Sequence, residues 1–146
     1  VSDPVGDSLV QCSPKLLHKY KGRALLVTTS ACAMHCRYCF RKNYPYETQN
    51  KSYEKELELL KRDGSIEEIL LSGGDPLSLS NESLYKLLSE LQKIPHIKRV
   101  RFHTRFPIGI PERIDEGFLD CLKNHPFRYW FVIHANHPVE LDDEVL

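Results

Sequence analysis

An α/β fold built on a parallel sheet is what this chain predicts, and three observations predict it. Four apolar, β-rich runs recur along the sequence, helix-patterned segments separate them, and an unusual polar cluster follows each run. Alternation of strands and helices at this length implies right-handed βαβ units. Four such units do not close a barrel of eight.

The first run, "ALLVTT" (24–29), leads into three cysteines, Cys32, Cys36 and Cys39. A charged, helix-favouring stretch, "SYEKELELLKRD" (52–63), follows, with Leu57, Leu59 and Leu60 as its apolar material. The second run, "EEILLS" (67–72), ends in "SGGDP" (72–76). The next helix, "NESLYKLLSELQKI" (81–94), sets Leu84, Leu87, Leu88 and Leu91 at i, i+3, i+4 and i+7, the mark of an apolar stripe. Ser80 or Asn81 can cap its N-terminus. The third run, "RVRFHT" (99–104), is followed by a helix over 111–125, with proline in its first turn. That helix would bury Ile114, Phe118, Leu119 and Leu122 on one face. The fourth run, "RYWFVIHA" (128–135), runs into "HANHP" (134–138), and "VELDDEVL" (139–146) reads as the beginning of another helix.

Hydrophobic residues are 41% of the chain and charged residues 27%, values of a globular protein rather than a disordered one. Twenty basic residues balance twenty acidic ones, so no global field draws the chain onto nucleic acid or a membrane surface. No apolar run approaches the roughly 20 residues of a membrane span. The first residues lack the pattern of a signal peptide, so a cytoplasmic location is expected. There, clustered cysteines serve as ligands or catalysts more often than as disulfides.

In parallel α/β folds ligands bind at the C-terminal edge of the strands, where the βα loops gather. All four polar clusters fall at that edge, "HTR" (103–105) among them. Three thiolates spaced C-x₃-C-x₂-C can hold an iron–sulfur cluster and leave one iron open. A structural zinc site completed by His35 is the alternative, but zinc favours paired cysteine units converging from two segments. Here no second pair exists: Cys121 lies on the apolar side of a helix and Cys12 far upstream. Gly73 and Gly74 allow the backbone to approach a ligand closely, or form a plain turn.

C-x₃-C-x₂-C after the first strand resembles the radical S-adenosylmethionine (SAM) enzymes. Within them, "LLHKYKGRALLVTTSACAMHCRYCFRK", "LSGGDPLSLS", "RFHTRFPIGIPERI" and "HANHPVEL" resemble, in order, the lysine 2,3-aminomutases. The form "CRYCFRKNYPY" is closer to the branch that makes (R)-β-lysine for elongation factor P. The resemblance implies a partial (β/α) TIM-like barrel of the radical SAM type, with about four βα units present. It implies a [4Fe-4S] cluster on Cys32, Cys36 and Cys39, with SAM as the fourth ligand. Gly73, Gly74, Asp75, His134 and Asn136 would contact SAM, with Tyr38 on the adenine side. His103, Thr104 and Arg105 are weaker candidates on the same rim.

Arg41 matches the arginine that takes the substrate's carboxylate, a task suited to a planar guanidinium. Its bland alternative is a solvated surface arginine. Lys19, Tyr20 and Arg23 match the segment that binds the phosphate of pyridoxal 5′-phosphate (PLP). Residues 1–23 would form that N-terminal segment and 24–146 the first part of the core. The family's PLP lysine and the acidic residues for the substrate's ε-amino group have no counterpart here, so a piece of a longer isomerase, inactive alone, is expected. The expected partner is free lysine, without nucleic acid or membrane, and a homo-oligomer is allowed. The competing readings are another radical SAM enzyme and a non-catalytic iron–sulfur or zinc-binding module.

Overall fold

A computed structural model describes residues 2–143 and 145. Its centre is a six-stranded sheet in which spatial order follows chain order. Strands β1 (Gln11–Ser13), β2 (Leu16–Tyr20) and β3 (Arg23–Thr29) form an antiparallel meander, β2 pairing antiparallel with both of the others. From β3 onward the pairing is parallel, through β4 (Glu68–Gly73), β5 (Arg99–Thr104) and β6 (Arg128–Ile133). The four strands expected from sequence are therefore present, within two residues at either end.

The β1–β2 hairpin was not expected. Its strands are three and five residues long, and "LLHKY" mixes apolar with basic residues, so neither carries a strand period. Pairing with β3 makes β2 a strand, and pairing with β2 makes β1 one.

One face of the sheet is covered by α1 (Glu54–Arg62), α2 (Asn81–Gln92) and α4 (Glu116–Lys123); a single turn, α3 (Phe106–Gly109), follows β5. Leu26, Leu71 and Phe102 lie side by side across three strands and are fully buried. Against them pack Leu57 and Leu60 of α1, all four stripe leucines of α2, and Phe118 of α4. Truncating any such leucine to alanine would cost about 2–5 kcal/mol, because the cavity left behind closes only in part.

The capping residues follow the chemistry. Ser80 accepts from the Ser83 N–H at the start of α2. At α4 the expected helix over 111–125 is shorter: Pro111–Arg113 form a separate 3-10 turn and Asp115 caps the helix through the Phe118 N–H. Leu119, expected inside, is 40% exposed, and Cys121 takes the inner position instead. In the expected helix over 139–146 the structure shows a 3-10 turn at Pro138–Glu140; residues 144 and 146 lie outside the described residues.

The sheet is open at β6, which pairs only with β5 among the described residues. Period-two alternation sends Leu25, Leu70, Ser72 and His103 to the face away from the helices. They line the cavity described below. No helix of the described residues is long and apolar enough to cross a membrane.

Candidate functional site

The cavity, of about 430 Å³, lies over the uncovered face and extends from the start of β3 to the C-terminal rim of the parallel strands. That is the size of an ordinary small-molecule site. Cys32, Cys36 and Cys39, Gly73 to Asp75, Arg41 and His134 all line it, as do Lys19, Tyr20 and Arg23. The parallel strands deliver the cysteine loop, the glycine loop and His134 to one edge, while Lys19, Tyr20 and Arg23 come from the β2–β3 hairpin at the opposite, N-terminal end of β3.

The cysteine loop is stitched to the glycine loop. The Gly74 N–H donates to the Thr29 carbonyl (2.7 Å) and the Asp75 N–H to the Ala31 carbonyl (2.8 Å). Here the glycines meet a requirement of the chain itself, beside the expected approach to a ligand. A Cβ on Gly74 would stand 2.1 Å from the Ala31 carbonyl oxygen, and one on Gly73 2.5 Å from that of Thr29. Gly73 also has φ 126°, a region that side chains disfavour. The glycines let two loops of the chain touch each other.

Asp75 is buried, and its carboxylate is already engaged. Oδ1 accepts from the Leu77 N–H (3.0 Å) and the Thr104 hydroxyl (2.7 Å), and Oδ2 from the Arg105 N–H (2.8 Å). It ties the glycine loop to the end of β5, so its contribution to a ligand would come through that scaffold.

The thiols occupy successive turns, the Cys39 N–H donating to the Cys36 carbonyl and the Lys42 N–H to that of Cys39. Met34, between the first two cysteines, packs so closely on Gly109 of α3 that a Cβ there would overlap its sulfur. Burial, with the Asp75 carboxylate and the other two thiols nearby, pushes the Cys32 thiol up to about 11. Among the described residues no three His, Cys, Asp or Glu side chains are grouped to hold one metal ion. Three thiols on one loop are a donor set of the kind that holds an iron–sulfur cluster, one iron to each thiolate. His35, the expected fourth zinc ligand, is exposed. Cys12 is exposed and Cys121 is buried against the Asn81 carbonyl, both outside the cavity lining.

Arg41 is not a solvated arginine. It is 6% exposed, with Nε donating to Asp7 Oδ2 (2.9 Å) and Nη1 to Ser72 Oγ (2.8 Å). The ring of Phe40 lies beneath it, 4.7 Å from centroid to guanidinium carbon. Asp7 and Ser72 were invisible as partners in sequence, because 34 and 31 positions separate them from Arg41. Lys19 donates to the Val5 carbonyl (2.9 Å), and both Lys19 and Arg23 stand over the Tyr20 ring. His18, in the same strand, lies beside Asp63, 3.7 Å away.

On the far rim, His134 is exposed and its ring lies 6.3 Å from that of His103. Burial first, then His134 and Arg101, lowers His103 to about 4, so its imidazole is neutral. Its Nε2 is buried without a partner among the described residues. The Tyr38 hydroxyl, expected beside adenine, accepts from Arg105 Nη1 (2.5 Å). Tyr46, not singled out by sequence, donates to the Gly73 carbonyl (2.8 Å), and burial pushes its hydroxyl up to about 12.

A three-thiol loop, a glycine loop stitched to it and a cavity at the strand rim define a cofactor-using α/β protein of the radical SAM kind. Comparison with known families agrees: the Radical SAM superfamily model matches residues 26–135. This chain belongs to the radical SAM superfamily, whose cofactors are a [4Fe-4S] cluster and SAM. It is 39% identical over 144 residues to the L-lysine 2,3-aminomutase of Haemophilus influenzae, covering 97% of this chain and 43% of that one. With the Escherichia coli L-lysine 2,3-aminomutase it shares 42% identity over 133 residues, 89% of this chain and 39% of the relative. The L-lysine 2,3-aminomutase of Clostridium subterminale is 33% identical over 149 residues, 99% and 35% of the two chains. The chain therefore spans less than half the length of these relatives.

Proposed function

We propose that this chain is the cluster- and SAM-binding part of a PLP-dependent lysine 2,3-aminomutase, of the branch that makes (R)-β-lysine for elongation factor P. The observation that carries the reading is the shared cavity: the three thiols, Arg41 and the basic group Lys19, Tyr20 and Arg23 line one space of about 430 Å³. When bound, the cluster and SAM would supply a hydrogen-abstracting radical, and PLP a ring that delocalises electrons.

The chain's own residues bind and orient. Cys32, Cys36 and Cys39 would ligate the cluster. Gly73, Gly74 and Asp75 would hold the SAM-side loop in shape, and His134 and Asn136 would offer hydrogen bonds to SAM oxygens. Lys19 and Arg23 would place two positive charges, and Tyr20 a hydroxyl, at a phosphate. Asp7 and Ser72 fix the plane of Arg41 through Nε and Nη1, and Nη2 would donate to a substrate carboxylate.

The test is anaerobic incubation of the intact protein with lysine, SAM, PLP and reductant, followed by mass spectrometry for β-lysine. β-Lysine should form, and Arg41→Lys should weaken lysine use by about 10–100-fold while the cluster still assembles, since an ammonium cannot reproduce the fork. Cleavage of SAM with lysine returned unchanged would remove the substrate assignment.

A further inference from the structure

We infer that Arg105 is a positioning residue for the cluster: it clamps the cysteine loop to the loop after β6 and donates a hydrogen bond to the Cys36 sulfur. The inference rests on the reading that Cys32, Cys36 and Cys39 hold a [4Fe-4S] cluster. Arg105 directly follows β5, and its own N–H is held by buried Asp75 (2.8 Å), so the base of the side chain is fixed. From there Nη1 reaches Cys36 Sγ (3.7 Å) and the Tyr38 hydroxyl (2.5 Å), and Nη2 reaches Glu140 Oε1 (2.6 Å). Glu140 is held in turn by the Asn136 N–H at its other oxygen (2.7 Å). With its amide oxygen turned inward, Asn136 also accepts from Nη2 (3.1 Å).

One side chain therefore joins residues 69 and 35 positions away from it, in loops of two different strands. An exposed ion pair would contribute little. Here the arginine side chain is 18% exposed and its glutamate 26%, and three further groups share the guanidinium. Lysine has no fork with which to span such a set. The chemical consequence follows from charge. A reduced cluster carries one more negative charge than an oxidised one. An N–H donated to a ligating sulfur, beside a fixed cation, stabilises the reduced state and raises the potential. The same clamp holds Cys36 and Tyr38 in place before iron arrives.

The experiment uses the intact protein reconstituted anaerobically with iron and sulfide, and follows midpoint potential by electron paramagnetic resonance, iron retention against a chelator, and far-ultraviolet circular dichroism. Arg105→Gln should shift the potential to more negative values and weaken iron retention about 10-fold. Arg105→Lys, which keeps the charge without the fork, gives a second reading and should also fall below the unsubstituted protein. A folded variant that no longer assembles the cluster likewise supports the positioning role. Unchanged potential in a folded variant overturns the inference, and failure of both variants to fold overturns it by assigning Arg105 to the general scaffold. Failure of the unsubstituted protein to take up a cluster removes the underlying reading instead.

Discussion

Cys32, Cys36 and Cys39 line the cavity while Cys12 and Cys121 do not, and that separation predicts how substitution will sort them. Serine at any of the three should abolish cluster assembly, read as iron and sulfide per chain after anaerobic reconstitution. Serine at Cys121 should leave assembly intact and affect only packing between α2 and α4, since its sulfur lies 3.4 Å from the Asn81 carbonyl. Equal loss at Cys121 would defeat the assignment. His103 makes a second prediction, about pH. Its folded-state value is depressed from 6.5 to about 4, so the unfolded chain binds more protons between those limits. Stability should therefore fall as pH drops from about 6.5 to 4, and His103→Gln should flatten that slope in urea denaturation curves taken across the range. The charges facing His103 are His134, Arg101 and Arg41, which oppose its protonation, and Glu68, which favours it. The cysteine motif could be read from spacing alone. Asp7, the partner of Arg41, could not, since nothing in "GDSLV" announces a contact 34 residues on.

At the level of elements, the contact between the cysteine loop and the glycine loop decides the shape of the rim. A methyl group at Gly74 would stand 2.1 Å from a backbone oxygen, and backbone cannot swing aside as a side chain does. Gly74→Ala should cost about 3 kcal/mol of stability, seen as a lower urea midpoint, and should weaken cluster retention through displacement of residues 29–31. The connection from β3 to α1 is held by the hydroxyls of Tyr46 and Tyr53, which donate to the Gly73 and Thr28 carbonyls. Lys15 adds bonds to the carbonyls of Asn50 and Ser52. Helix α2 was legible because its four leucines repeat at the helical period and all four are buried. Strands β1 and β2 were not, because three and five residues of mixed polarity carry no period. Helix α4 was misjudged at its start, where Pro111 and Asp115 both suit a helix N-terminus and only packing chose between them.

Across the whole molecule the open edge matters most. Among the described residues strand β6 pairs on one side only, and Trp130, Phe131 and Ile133 are 53%, 36% and 45% exposed. An unpaired strand with such side chains invites association. The 146-residue chain produced by itself should self-associate as its concentration rises in sedimentation velocity. Trp130→Lys together with Ile133→Lys should reduce that association; indifference to the pair would place the contact elsewhere. The presence of the four parallel strands, the leucine stripe of α2 and the gathering of polar clusters after the strands were determined by sequence, because period and alternation are local properties that survive without any knowledge of distant neighbours. Tertiary structure alone decided which groups meet: Arg41 with Asp7 and Ser72, Arg105 with Cys36 and Glu140, and Gly73 and Gly74 with the carbonyls of Thr29 and Ala31. Those pairings join residues more than thirty positions apart, and only the register and twist of a packed sheet bring such side chains within 4 Å of each other.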